Sequence, residues 1–241
     1  GSSAPDPVAE RRLVSILFTD LVSWTTIAAG RDPEEARDLL SRYFELANVV
    51  IERYGGIVEK FIGDAVMAVW GSPVAREDDA ERAVRAGLEL VDAVRTLGPG
   101  IEARAGVLTG EAAVTLGAEG QGMVAGDLVN TAARIQSLAQ PGTVLVGETT
   151  RRASEPTVAY EDAGAHELKG KEEPVRLHRA VRVVSGRQGA LKSTGIEPPF
   201  VGRDRELRLV KELFHASADE RAAHLVSAMG IAGIGKSRLA W

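Results

Sequence analysis

The chain of 241 residues contains no cysteine, which excludes disulfides, thiolate metal sites and cysteine nucleophiles and fits a reducing compartment. No apolar run approaches the length that crosses a bilayer, and the N-terminus lacks the pattern of a signal peptide. Charges of both signs are interspersed to a net -5, which gives no field for binding nucleic acid. We therefore expect a soluble, cytoplasmic protein without membrane or nucleic-acid partners. Its 44% of hydrophobic residues suffice for a sizeable core.

Two aspartates stand at the ends of strand-like runs. Asp20 closes the apolar run 13–18, and Asp64 lies at the turn between the strand-like segments 57–62 and 65–70. Two adjacent antiparallel strands would aim both carboxylates at one point. Carboxylates, a backbone carbonyl and phosphate oxygens are the ligands that Mg2+ prefers. The pattern predicts a divalent-cation site for a nucleoside triphosphate, although either aspartate taken singly is also typical of a turn cap.

The order of the remaining patterns predicts the class of fold. Helices are predicted from Pro33, from about residue 77 and over 127–139. Further strands are predicted at 101–109 and 112–116, as a pair about Gly110, and at 143–146. The order strand, helix, strand, strand, helix, strand, followed by a helix and more strands, predicts an α+β fold. Its helices would cover one or both faces of a mostly antiparallel sheet.

Four blocks of sequence together resemble one family. They are FTDLVSWT at 18–25, EKFIGD at 59–64, RAGVLTGE at 104–111 and GDLVNTAAR at 126–134. Their order and spacing resemble the class III nucleotidyl cyclases, in their bacterial adenylyl cyclase branch. The resemblance covers about residues 11–183 and implies a ferredoxin-like core. Residues 167–170 and the Pro174-Val175 pair resemble the last strand pair of such domains.

The resemblance implies an adenylate cyclase that converts ATP to 3',5'-cyclic AMP and pyrophosphate with two cations, Mg2+ or Mn2+, in each site. Asp20 and Asp64 would bind these cations with help from the carbonyl of Leu21. Asn130 and Arg134 would be the catalytic pair, because residues four apart share a helix face. The amide would orient the ribose and the guanidinium would neutralise phosphate charge. The alternative for this pair is a solvated helix face.

Other residues would bind substrate if the resemblance holds. Lys60 matches the lysine that reads the purine edge. Its usual acidic or hydroxyl partner stands seven residues before the asparagine, where this chain has Met123. A thioether is a poor acceptor for the adenine amino group, so Asp127 is the nearby alternative. Arg104 and Lys169 match positions that contact the triphosphate, although basic residues are also common on solvated strands.

The resemblance also implies a head-to-tail homodimer that builds each site from two chains. One chain would give the carboxylates, and the other would give Lys60, Asn130 and Arg134. An isologous dimer would then hold two equivalent sites, and a monomer would be inactive. The four histidines lack the i, i+4 spacing of a helical metal pair, so we interpret them as structural or exposed.

The two ends of the chain have a different character. Residues 1–10 are interpreted as a tag remnant and an N-terminal tail, 11–183 as the cyclase domain and 184–199, which are polar and glycine-rich, as a linker. Residues 200–241 resemble the start of a signalling ATPase of the AAA-like or STAND type, too short for a complete domain. Their phosphate loop is GIAGIGKS, with Gly230, Gly235, Lys236 and Ser237 at the motif positions.

Three functions therefore stand open. An adenylate cyclase is favoured by the set of matched residues, and the ATPase module would regulate it. Met123 favours an ATP-sensing domain with little turnover that regulates the ATPase. A guanylyl cyclase is less favoured, because Lys60 suits adenine better than guanine.

Overall fold

Apolar and β-branched runs build a central sheet of eight strands. The computed structural model describes residues 8–116, 124–184, 204–220 and 226–227, and contacts divide the chain into two compact units, 1–184 and 185–241. The sheet belongs to the first unit. Its strands are β1 (Val8–Leu21), β2 (Ile57–Ile62), β3 (Ala65–Trp70), β4 (Ala103–Leu116), β5 (Val124–Ala125), β6 (Val144–Gly147), β7 (Val158–His166) and β8 (Val175–Val183).

Amphipathic segments between the strands form the helices. The longest begins where the Asp32 carboxylate accepts a hydrogen bond of 2.8 Å from the Glu34 N–H, with Pro33 in its first position. It ends before Gly55, whose φ of +75° is left-handed. Among the described residues, no helix is both long and apolar enough to span a bilayer. The helices are α1 (Trp24–Ala29), α2 (Pro33–Arg53), α3 (Asp79–Ala93), α4 (Asp127–Leu138), α5 (Glu148–Ser154) and, in the second unit, α6 (Asp204–Glu220).

The strand order is β2-β3-β1-β4-β6-β8-β7, and β5 pairs with β4. Strands β4 and β6 run parallel, and the other strand pairs of the described residues run antiparallel. Long β1 lies between β3 and β4, so its end is surrounded by the turns of its neighbours. The α+β fold with a mostly antiparallel sheet packed by helices is confirmed.

Helices cover both faces of this sheet. On one face, α2 and α3 pack over alternate side chains of the central strands, such as Leu17, Ala68 and Val107, which are fully buried. On the other face, α4 packs over the intervening positions, such as Ile16 and Met67. We call this second side the α4 face. The alternation decides which strand residues reach the α4 face.

Three buried hydroxyls join β1, β4 and α5. Ser15 Oγ and Thr109 Oγ1 lie 2.8 Å apart, and the Thr150 hydroxyl donates to Thr109 Oγ1 at 3.1 Å. Buried polar groups of this kind need partners, because an unpaired hydroxyl loses its hydrogen bonds to water. The network therefore fixes the register of the two longest strands against α5.

The structure corrects three expectations. The predicted pair 101–109 and 112–116 is wrong, because 103–116 form one strand. Gly110 pairs with Val14 instead of turning, and a methyl group there would lie 2.8 Å from Leu128 Cδ1, so the glycine serves packing. Strand β1 begins at Val8, within the expected tail. Residues 167–170 connect β7 to β8 and are not part of a strand pair.

Candidate active site

Asp20 and Asp64 meet at one end of the β1–β3 pair. Asp20 is the penultimate residue of β1, and Asp64 lies in the turn between β2 and β3. The antiparallel register, which pairs Thr19 with Val66, brings the end of β1 beside the start of β3. Asp64 Oδ2 then accepts a hydrogen bond of 3.2 Å from the backbone N–H of Leu21. Asp64 therefore lies beside the strand end that carries Asp20, and the role of the two aspartates as cation ligands stays a prediction.

The electrostatics of this pair favour an added positive charge. Partial burial raises the pKa of Asp64, and the like charge of Asp20 raises it further, against the backbone hydrogen bonds that lower it. Burial also raises the pKa of the Tyr43 phenol, and both carboxylates add to this effect. The Tyr43 hydroxyl donates to Thr19 Oγ1 at 3.5 Å beneath the site. Two half-buried carboxylates that repel one another are a donor set that fits a divalent cation.

The rest of such a coordination shell would have to come from elsewhere. In the ranges 8–116, 124–184, 204–220 and 226–227, no cluster of three or more histidine and acidic side chains has the geometry of a metal site. Backbone carbonyls, water and substrate oxygens would complete the shell, as is usual for Mg2+. The Leu21 carbonyl stays a predicted ligand, on a residue whose N–H contacts Asp64.

Arg104 donates hydrogen bonds to both carboxylate oxygens of Asp20. The two residues face each other across β1 and β4. The guanidinium donates from Nε to Oδ1 at 2.9 Å and from Nη2 to Oδ2 at 3.1 Å, a forked pair that raises the pKa of Arg104. Its third nitrogen, Nη1, donates to the carbonyl of Ser137 at 2.9 Å. The residue expected to contact triphosphate therefore joins Asp20 to the last turn of α4.

Helix α4 lies close to the sheet because β4 has a glycine at the crossing point. A methyl group at Gly106 would lie 2.4 Å from the backbone nitrogen of Gln136, so only glycine fits. On α4, Asn130 is exposed and Arg134 is half-buried. A methyl group at Gly170 would lie 3.6 Å from Arg134 Nη1, which places this guanidinium beside the β7–β8 connection.

Lys60 lies on the α4 face with Asp20. The registers align Lys60, Met67 and Phe18 across β2, β3 and β1. Asp20 follows Phe18 by two residues and therefore points to the same side. Strand β2 is separated from β1 by β3, so Lys60 stands about two strand spacings, roughly 10 Å, from β1.

The structure pairs Asp127 with a lysine that sequence reasoning missed. Lys171 Nζ contacts Asp127 Oδ2, and this contact lowers the pKa of Asp127. The predicted Lys169, two residues earlier, is exposed. Sequence gave no signal for Lys171, because both lysines lie in the same connection and only the loop path distinguishes them. Met123 and the phosphate-loop residues Gly230, Gly235, Lys236 and Ser237 lie outside the described residues.

Residues 7–178 match the family described as the adenylate and guanylate cyclase catalytic domain. The chain belongs to this family. Its cyclase domain is 34% identical over 189 residues to adenylate cyclase 1 of Rhizobium meliloti strain 1021, covering 73% of this chain and 28% of that protein. The chain spans about a quarter to a third of the length of the curated relatives it matches.

Solved cyclase structures share the fold. The adenylyl cyclase CyaB of P. aeruginosa has a TM-score of 0.70 and 26% identity, covering 74% of this chain and 98% of that one. A guanylyl cyclase has a TM-score of 0.68 and 31% identity, covering 73% of this chain and 95% of that one. The fold is therefore a cyclase-domain fold, shared by enzymes named for either purine nucleotide.

Proposed function

We propose that the cyclase domain is an adenylate cyclase that converts ATP to 3',5'-cyclic AMP and pyrophosphate. The observation that carries the proposal is the approach of Asp20 and Asp64 at the end of β1, which provides two hard-oxygen donors there. Similarity to adenylate cyclase 1 of Rhizobium meliloti supports ATP as the substrate.

In this proposal Asp20 and Asp64 hold two cations, Mg2+ or Mn2+, with the carbonyl of Leu21. Cations held there would supply Lewis-acid chemistry, lowering the pKa of the ribose 3'-hydroxyl and neutralising phosphate charge. The 3'-oxygen forms a bond to the α-phosphorus as the bond to the bridging oxygen of pyrophosphate breaks. The hydroxyl proton leaves to solvent. Negative charge develops on the phosphoryl oxygens, and fixed positive groups stabilise it.

Asn130 and Arg134 fit this demand because they are four residues apart on α4 and neither is fully buried. The Asn130 amide would orient the ribose, and the forked Arg134 guanidinium would bind phosphoryl oxygens. We propose that these residues and Lys60 complete a site whose carboxylates come from a second chain in a head-to-tail homodimer. Arg104, Lys169 and Asp127 would contact substrate from the surrounding strands and loop.

Base preference is the finer part of the proposal. Lys60 would bind the adenine edge. Met123 stands where the family usually has an acidic or hydroxyl residue, and its thioether is a poor acceptor for the adenine amino group. Because solved structures of similar fold include an adenylyl and a guanylyl cyclase, the fold does not distinguish adenine from guanine as the preferred base. Competition between ATP and GTP for turnover measures the preference, and we expect ATP to be used faster.

The deciding experiment is product analysis by chromatography and mass spectrometry with ATP and Mn2+. We expect cyclic AMP from the wild-type protein and a loss of at least about 100-fold in Asp64→Ala, because one cation ligand is removed. Asp162→Ala is the matched control, since Asp162 is an exposed aspartate that pairs with Arg176 on β8. Cyclic AMP formation that persists unchanged in Asp64→Ala contradicts the proposal.

A second candidate function is an ATP-sensing domain with little turnover. The forked contact of Arg104 with both oxygens of Asp20 favours it, because these oxygens are the ones a cation needs. In that case the sensed nucleotide would regulate the segment 200–241, whose phosphate loop predicts an ATPase module. Tight ATP binding without cyclic AMP would support this function, and metal-dependent turnover at an ordinary enzymatic rate would rule it out.

A further inference from the structure

Arg104 is held from two sides. Two of its nitrogens bind Asp20, and the third binds the Ser137 carbonyl at 2.9 Å. The Arg104 side chain is 30% accessible to solvent and the Asp20 side chain 17%, so the contact between them is partly shielded from water. The guanidinium therefore has a defined position, unlike that of a solvated surface arginine.

That position conflicts with a cation at Asp20. Each carboxylate oxygen of Asp20 uses one of its two lone pairs on the guanidinium, and a cation bound at the same carboxylate would repel the guanidinium. A phosphate anion offers the guanidinium an equivalent forked partner. Cation binding at Asp20 and the transfer of Arg104 to phosphate therefore favour one another.

The Ser137 carbonyl links this exchange to α4. Carbonyls in the last turn of a helix lack partners within the helix, and a guanidinium satisfies one while complementing the helix dipole. Because Arg134 lies one turn before Ser137 on α4, release of Arg104 would remove a partner from the end of the helix nearest Arg134.

We propose that Arg104 is a gate on the cation site: its guanidinium closes Asp20 in the nucleotide-free protein, and the phosphates of a nucleotide draw it away. This inference rests on the proposed function, because it takes Asp20 as a cation ligand. It makes Arg104 a residue that couples cation binding to nucleotide binding.

The test is Mn2+ binding to the nucleotide-free full chain, measured by titration calorimetry and by the electron paramagnetic resonance of free Mn2+. We expect Arg104→Gln to bind Mn2+ about three- to tenfold more tightly than the wild type, because a competing forked ion pair is removed. Arg104→Lys keeps the charge but not the forked contact, so its Mn2+ affinity should fall between those of Arg104→Gln and the wild type. If Arg104→Gln does not fold, the comparison of Arg104→Lys with the wild type tests the proposal.

Arg176→Gln is the matched control. Arg176 forms a forked pair with Asp162 across β7 and β8, at 3.3 Å from Nε and 2.7 Å from Nη2, so its loss changes the net charge equally. We expect its Mn2+ affinity to equal that of the wild type. The gain from Arg104→Gln should also disappear when Asp20→Asn is present, because the gate acts on that carboxylate.

Equal Mn2+ affinities of the wild type and both Arg104 variants overturn the gate, including the case in which none binds measurably. A gain that persists with Asp20→Asn also overturns it, since a general charge effect then explains the gain. The two proposals fail separately. If cyclic AMP formation depends on Asp64 but the Mn2+ affinities are equal, only the gate is overturned. If Arg104→Gln gains Mn2+ affinity in a way that depends on Asp20 but no cyclic AMP forms, only the cyclase activity is overturned.

Discussion

Glu148, the first residue of α5, accepts hydrogen bonds from three side chains. Arg151 donates from Nε and Nη2, each at 3.0 Å, Arg152 donates from Nε at 2.7 Å, and His178 Nε2 lies 2.7 Å from Oε2. These donors, Arg151 above all, hold the pKa of Glu148 far below its usual range. His178 is thereby structural, as predicted, and it ties α5 to β8.

Glu148→Gln should therefore change the pH dependence of stability. A carboxyl with a lowered folded-state pKa stabilises the fold above its unfolded pKa, about 4.3, and this stability is lost as pH falls toward the folded value. We expect Glu148→Gln to lower the Tm by about 2–4 °C at pH 7 and by less below pH 4. Circular dichroism melts at several pH values measure this. Glu45→Gln, at an exposed site on α2, is the control, and a Tm difference independent of pH would contradict the prediction.

At the residue scale, sequence predicts contacts between residues at strand ends and short turns better than contacts between elements that are distant in the chain. Asp20 and Asp64 were predictable as neighbours because a strand end and a hairpin tip fix where each carboxylate lies. The contacts of Arg104 with Ser137 and of Asp127 with Lys171 were not predictable, because they depend on how α4 and the β7–β8 connection lie against the sheet.

At the scale of elements, the contact of α4 with β4 depends on Gly106. A methyl group there would lie 2.4 Å from Gln136 N and 2.7 Å from its Cα, and backbone atoms on a packed helix cannot yield as a side-chain tip can. Gly106→Ala should move α4 away from the sheet and destabilise the domain by about 1–3 kcal/mol. Because α4 carries Asn130 and Arg134, cyclase activity should also fall.

Urea unfolding at constant pH measures the loss of stability. Gly30→Ala is the control, because Gly30 has a φ of -91° and its added methyl group would meet Thr26 O at 3.6 Å, an ordinary contact. We expect this control to change stability by less than about 0.5 kcal/mol. A stability of Gly106→Ala equal to that of the wild type would show that α4 is not held at this distance from β4.

Sequence patterns predicted the bounds of β2, β3 and the start of α4 well. Their ends are marked by glycine or an acidic first turn, which act locally. The same reasoning failed for β4, because Gly110 resembles a turn residue although it serves close packing against Leu128. Helix α1 and strand β5 were not predicted, since each is too short to show a period.

At the scale of the whole molecule, membership of the cyclase family follows from the order of four motifs, which no single element carries. The second unit remains a prediction: α6 is described, and the phosphate loop lies outside the described residues. The arrangement of two chains in one site is likewise a proposal, which mixing of variants tests directly.

Asp64→Ala and Arg134→Ala should each be inactive alone, because both sites of a head-to-tail homodimer then lack one required group. In a mixed dimer, one site carries both lesions and the other carries none. Random exchange makes half of the dimers mixed, so the mixture should recover about a quarter of the wild-type activity. Asp64→Ala mixed with Asp20→Ala is the matched control, because both lesions remove carboxylates and every site stays damaged. Cyclic AMP assays after subunit exchange measure the recovery, and size-exclusion chromatography monitors the dimers. If the two mixtures recover equally, or neither recovers although the chains exchange, the carboxylates and Arg134 do not come from different chains.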